Sequence, residues 1–151
     1  MTERVRIVEA EDEVPTLPPV HVEMEWLGDQ RLRGGRPGGP QVELDGKRVT
    51  ATSPVDTMVL ALCACSAIDV VEILNKRRTP PRSLRVHADF ARVDGTPRRL
   101  KRVLLTFIVD TDSGIEHVER AVSLSLEKYC SVAGSLAPDV EITTAVELTA
   151  S

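Results

Sequence analysis

The amino-acid sequence predicts an α+β fold, and three observations carry that prediction. Period-two alternation occupies both ends of the chain, helical periodicity occupies two interior segments, and the order sheet, helix, hairpin, helix, strand lacks the regular alternation of a parallel α/β sheet. At 151 residues the chain is long enough for a single domain, which at this size buries about two thirds of its unfolded surface. Its 42% hydrophobic and 28% charged residues place it among globular proteins and outside the disordered class.

Each element has a local cause. Residues 1–19 are acidic and then proline-rich, with Pro15, Pro18 and Pro19 and no sustained period, so they predict a flexible extension ahead of one domain at 20–151. Val22, Met24 and Trp26 then alternate with His21, Glu23 and Glu25, the pattern of a half-buried strand. Gly28-Asp29 offers a turn, and residues 30–33 continue the meander until the run Gly34-Gly35-Arg36-Pro37-Gly38-Gly39-Pro40 interrupts it. That run predicts a mobile loop, because it lacks the Gly-Lys-Ser/Thr ending and the following helix of a phosphate cradle. Val42 and Leu44, a turn at Asp45-Gly46 and residues 47–52 complete the expected N-terminal antiparallel sheet.

A long helix follows, with Ser53 as N-cap, Pro54 at its first position and Asp56 at its third, and it ends at Lys76-Arg77-Arg78 before Pro80-Pro81. Apolar residues occupy all its faces between positions 58 and 67, which predicts a central helix covered on more than one side. Leu84, Val86, Ala88 and Phe90 alternate with Arg85, His87 and Asp89. After a turn at Asp94-Gly95, residues 103–109 are apolar on both faces, giving a hairpin whose second strand is central. Ser113-Gly114-Ile115-Glu116 reads as a second capping box, opening a helix that runs to about Tyr129. Val140, Ile142, Thr144, Val146 and Leu148 form a closing strand.

Composition also narrows function. The N-terminus has no secretory apolar core, and the uncharged stretch 57–68 is shorter than the roughly 18 residues of a membrane span, so a cytoplasmic protein without a membrane partner is expected. Three cysteines, an odd number, suit a reducing compartment better than a disulfide framework. The net charge of −4 conceals a basic segment at 76–102, with ten Lys/Arg against Asp89 and Asp94. Those cations divide between a helix C-terminus, where they suit the dipole, and a hairpin turn. With one Trp, one Tyr and two Phe there is no base-stacking platform, so no nucleic-acid partner is expected.

The cysteines are the candidate reagents. Cys63 and Cys65 stand two positions apart, about 200° of helix rotation, and cannot share one metal ion. His21, His87 and His117 are scattered over polar faces, so no metal or other bound cofactor is expected. Cys63 suits a small buried hydrophobe. The role of Cys65 turns on a partner, and Cys130 at the end of the second helix is the remaining thiol, which it meets if the helices pack. Asp69, four residues after Cys65, opposes thiolate formation by like charge unless it is paired elsewhere.

Ser53-Pro54-Val55-Asp56, the run from Leu62 through Cys63 and Cys65 to Leu74, Val118-Glu119-Arg120-Ala121-Val122, Glu127-Lys128-Tyr129-Cys130-Ser131-Val132 and Val140-Glu141-Ile142-Thr143 resemble the OsmC/Ohr family over residues 20–149. The resemblance implies an OsmC-like fold of two intertwined chains, an obligate homodimer with the long helices at its centre. It implies thiol-dependent reduction of organic hydroperoxides in oxidative-stress defence, with Cys65 peroxidatic, Cys130 resolving and an external dithiol such as dihydrolipoamide as reductant. No family role carries over to Cys63. Relatives activate the thiol with an arginine from the N-terminal sheet, held by a glutamate just after the helix proline. Here Val55 follows Pro54 and the acid is Asp56, with Arg31 and Arg33 as the candidate arginines. The alternative is a non-catalytic dimeric module of the same architecture that binds a small apolar ligand or a sulfur species.

Overall fold

The computed structural model describes residues 14–149. Most of the expected N-terminal extension, residues 1–13, lies outside the described residues, and residues 14–22 belong to no regular element. The chain falls into two compact units, one ending at Glu43 and the other beginning at Leu44.

In the first unit, β1 (Glu23–Gly28) pairs antiparallel with β2 (Arg31–Gly35), and β3 (Gln41–Asp45), whose last two residues belong to the second unit, completes a three-stranded sheet in the order β1-β2-β3. Gly28 at φ 104° and Asp29 at φ 51° make the tight turn, a backbone region that glycine and the short acids tolerate. The alternation predicted for this strand is present, but the half-burial is not. Val22, Met24 and Trp26 remain 66%, 50% and 68% exposed, since a single layer of sheet buries a face only against another layer.

Residues 47–52, expected as a strand, instead form a bent loop touching β3 through one bridge between Leu44 and Thr52. The cause is Asp45. Its carboxylate accepts the N–H groups of Lys47, Val49 and Thr50 at 2.9–3.0 Å and the Thr50 hydroxyl at 3.2 Å, so the donors a ladder would use are already taken.

The second unit is built on α1 (Pro54–Lys76), which begins as predicted: the Asp56 N–H donates to Ser53 Oγ at 3.2 Å and Pro54 holds the first position. α1 packs against α2 (Ile115–Leu124), a π-helical turn (Ser125–Tyr129) and the short α3 (Ser131–Ser135). The cap of α2 differs from expectation. Gly114 is its N-cap, accepting from His117 and Val118, while Ser113 donates its N–H to Thr111 Oγ1 and its buried hydroxyl has no partner among the described residues.

A second sheet, in the order β4-β5-β6, covers these helices with β4 (Ser83–Arg92), β5 (Leu100–Asp110) and β6 (Glu141–Leu148). β5 is central, as expected. Val103, Leu105, Phe107 and Val109 fall on one face by the period of two and are at most 1% exposed. They meet Val59, Leu62, Val70 and Leu74 of α1 and Val118, Ala121 and Val122 of α2 in one core. Burying each large side chain contributes about 1.5–3 kcal/mol. The closing strand runs parallel to β5, because the helical connection between them is long enough to return the chain to the same end of the sheet.

By length and composition α1 could cross a membrane. The sequence-based estimate of a shorter apolar run missed this because charged residues enter only near its ends and at Asp69. In the fold, however, Val59, Leu62, Cys63, Ser66, Val70 and Leu74 form a buried stripe against the sheet. Coverage on more than one side holds only in part, since Leu60 and Ile68 are 52% and 59% exposed.

Candidate dithiol site

The arrangement of α1 sorts its two cysteines. At about 100° per residue, Cys63 falls within the buried stripe and is 8% exposed. Cys65 stands at the edge of that stripe, half-buried, on the side that meets α2 and the π turn. Burial pushes the Cys63 thiol upward, which suits the small-hydrophobe reading.

Cys130 is 5% exposed and sits where the π turn ends and α3 begins. The widened turn closes with a 2.7 Å hydrogen bond from the Cys130 N–H to the Ser125 carbonyl, five residues back. The sulfur in turn accepts the Ala133 N–H at 3.4 Å. This geometry places the side chain of Cys130 beside that of Cys65, near enough for Cys65 to act on the Cys130 thiol. All three cysteines are free thiols. Burial raises the Cys130 thiol above its ordinary value, the Ala133 N–H opposes that shift, and contact with Cys65 adds to it.

Asp69 is paired elsewhere. Ser125 Oγ donates to Asp69 Oδ2 at 2.8 Å, and Ser125 is fully buried. A cavity of about 240 Å³ opens one turn along α1, lined by Asp69, Glu72, Ile73, Lys76, Leu124 and Tyr129. Its lining mixes charged and apolar side chains because positions 69, 72 and 76 share a helix face with 73.

The remaining candidates are dispersed. Asp56 lies nine residues from Cys65, about 13–14 Å along the helix axis, in a separate cavity with Arg48 and Arg92. Arg31 and Arg33 are exposed on β2, with Arg33 opposite Glu25, in the first unit. Ser125 was not foreseen. A serine flanked by apolar residues five positions before a cysteine carries no signal for a π turn.

The fold and site define an α+β protein whose central helix and the π turn after its second helix present two adjoining free thiols. The chain belongs to the family of OsmC-like proteins, whose pattern matches residues 44–145. It is 38% identical over 129 residues to Protein YhfA of Escherichia coli strain K12, covering 84% of this chain and 96% of that protein. A hypothetical protein from Aquifex aeolicus VF5 shares the fold with a TM-score of 0.80 at 21% identity, over 89% of this chain and 99% of the other. The organic hydroperoxide resistance protein OhrB of Bacillus subtilis shares it with a TM-score of 0.59 at 14% identity, over 85% and 98%.

Proposed function

We propose that this chain is a thiol-dependent peroxidase that reduces organic hydroperoxides through Cys65 and Cys130, acting in the cytoplasm in oxidative-stress defence. The observation that carries the reading is the contact between two free thiols on separate helices, one half-buried and one buried. Family membership and the shared fold with a hydroperoxide resistance protein support it.

The steps follow from thiol chemistry. The Cys65 thiolate attacks one peroxide oxygen, the O–O bond breaks, and the alkoxide leaves as the alcohol once protonated, with Cys65 as sulfenic acid. Cys130 then attacks the Cys65 sulfur, forming the S–S bond and releasing water. A dithiol such as dihydrolipoamide exchanges with that disulfide, restoring both thiols and leaving itself oxidised.

The functional unit we propose is a homodimer. Leu60, Ala61, Ala64 and Ile68 form an exposed apolar face of α1, opposite the buried stripe and adjoining Cys65, and a second copy is the occupant that would leave no large apolar face in water.

The test is consumption of cumene or tert-butyl hydroperoxide against hydrogen peroxide, driven by dihydrolipoamide, for the wild type, Cys65→Ser and Cys130→Ser. The organic peroxides should be consumed faster, and Cys65→Ser should abolish turnover. Equal rates for wild type and Cys65→Ser would remove the enzyme reading. One observation favours a non-catalytic binding module instead: burial holds Cys130, the thiol that must attack the sulfenic acid, above its ordinary value. Alkylation of Cys65 at the rate of an ordinary thiol near pH 7 would support that second reading.

A further inference from the structure

A second polar contact joins the same helices one turn from the thiols. On α1, Cys65 and Asp69 are i, i+4 neighbours that lie one above the other. Across from them, Ser125 and Cys130 bracket the π turn. Ser125 is held at both ends, its hydroxyl on Asp69 at 2.8 Å and its carbonyl on the Cys130 N–H at 2.7 Å. The two helices therefore meet through stacked rungs, Cys65 with Cys130 and Asp69 with Ser125. In an ordinary α-turn the residue bonded back to Ser125 would be Tyr129; the inserted residue brings Cys130 to that place instead.

We propose that Asp69 and Ser125 are positioning residues for the redox pair, their hydrogen bond fixing the register of the π turn against α1 so that Cys130 Sγ stays within bonding reach of Cys65. The inference rests on the Cys65/Cys130 reading above and adds the residues that make its second step efficient. In that step the Cys130 sulfur forms the S–S bond while the Cys65 S–O bond breaks, and hydroxide departs with the thiol proton as water. The two electrons lost by the thiol pair are those gained by the peroxide. Disulfide closure needs the Cβ atoms about 3.5–4.5 Å apart, so a slip of the turn by an ångström or two slows it. A carboxylate is a strong acceptor for this task, and a buried serine hydroxyl without it would be left unsatisfied.

The experiment uses the full chain as wild type, Ser125→Ala, Asp69→Ala and Asp69→Asn, each first compared by circular dichroism and thermal melting. Equilibration of the Cys65–Cys130 disulfide with reduced and oxidised glutathione reads the effective concentration of the two thiols without any peroxide. Ser125→Ala and Asp69→Ala should lower it by about tenfold or more, the effect expected for losing a hydrogen bond to a charged group. Asp69→Asn, whose amide oxygen still accepts from Ser125, should restore most of it. With one equivalent of cumene hydroperoxide, dimedone should trap more Cys65 sulfenic acid in Ser125→Ala than in wild type.

A wild type that forms no such disulfide in either assay would overturn the peroxidase reading itself. Wild-type disulfide with unchanged values in Ser125→Ala and Asp69→Ala would overturn the positioning inference and leave that reading standing. An Asp69→Asn defect as large as that of Asp69→Ala would overturn it too, since charge rather than the hydrogen bond would then be responsible. Ser125→Ala removes one oxygen from a filled site, so it decides the matter alone if Asp69→Ala does not fold.

Discussion

The thiol that must attack in the second half of the proposed cycle is the buried one, and burial gives that step a steep pH dependence near neutrality that an activated cysteine lacks. Cys130 is 5% exposed, and loss of hydration is the largest influence raising its thiol above the ordinary 9.0. Oxidation of Cys65 alters the smaller contribution from that neighbour, while the burial persists. A thiol with a pKa of 9 is about one part in a hundred thiolate at pH 7, and a raised one is less. Below the pKa, thiolate grows tenfold per pH unit. The rate of disulfide closure should therefore climb about tenfold from pH 7 to 8 and rise further from 8 to 9, with no plateau in that interval.

The assay separates the two halves of the cycle. Cys65 is oxidised with one equivalent of cumene hydroperoxide at pH 5.5, where closure is slowest, and the protein is then jumped to the chosen pH. Acid quenching, alkylation of remaining thiols and mass spectrometry give the rate of Cys65–Cys130 disulfide formation. A log rate that is flat above pH 7, or levels before pH 8, would refute the argument: Cys130 would be activated, and the Ala133 N–H on its sulfur, rather than burial, would govern its reactivity.

Three further outcomes follow from the same structure. Asp45 is held at a pKa of about 2 by the Thr50 and Lys47 N–H groups and their neighbours. Because that value is depressed, its stabilising contribution is complete above the unfolded value near 3.9 and is lost as pH falls toward 2; urea midpoints of wild type and Asp45→Asn should converge between pH 5 and pH 2. Phe107 is wholly buried, so Phe107→Ala should cost about 3–5 kcal/mol in urea unfolding. Ile68→Asp, on the exposed face of α1, should convert the proposed dimer into a monomer in light scattering while leaving the circular dichroism of the fold in place.

What was legible in the sequence and what was not divide along physical lines. The start of α1 could be read because Ser53, Pro54 and Asp56 act within one turn, and the β4–β5 hairpin because alternation and a turn are local. The bent loop at 47–52 could not, since one carboxylate, Asp45, redirects three backbone donors and alternation is blind to a side chain that competes with the ladder. The start of α2 shifted by one residue because Thr111 engages the Ser113 N–H. The exposure of Trp26 and Ile68 was hidden for another reason: an apolar pattern states that a face is to be covered, not that the cover lies in the same chain. In the site, the two cysteines were visible as residue types, whereas the Asp69–Ser125 rung spans 56 positions and depends on a turn of five residues that no local pattern announces.

The rotation of α1 finally explains why a helix with two nearby cysteines has one candidate reagent. Cys63 shares its face with Val59, Leu62, Ser66, Val70 and Leu74, a stripe packed on the sheet, where a thiolate would lose more hydration than its one backbone donor makes up. Cys65, about 200° away, borders both the seam with α2 and the exposed apolar face. It is thus the thiol a small apolar peroxide could approach and the one Cys130 can reach. Moving the reactive sulfur by two positions would bury it in the core and remove its partner together, so the separation of faces, more than the mere presence of thiols, selects Cys65.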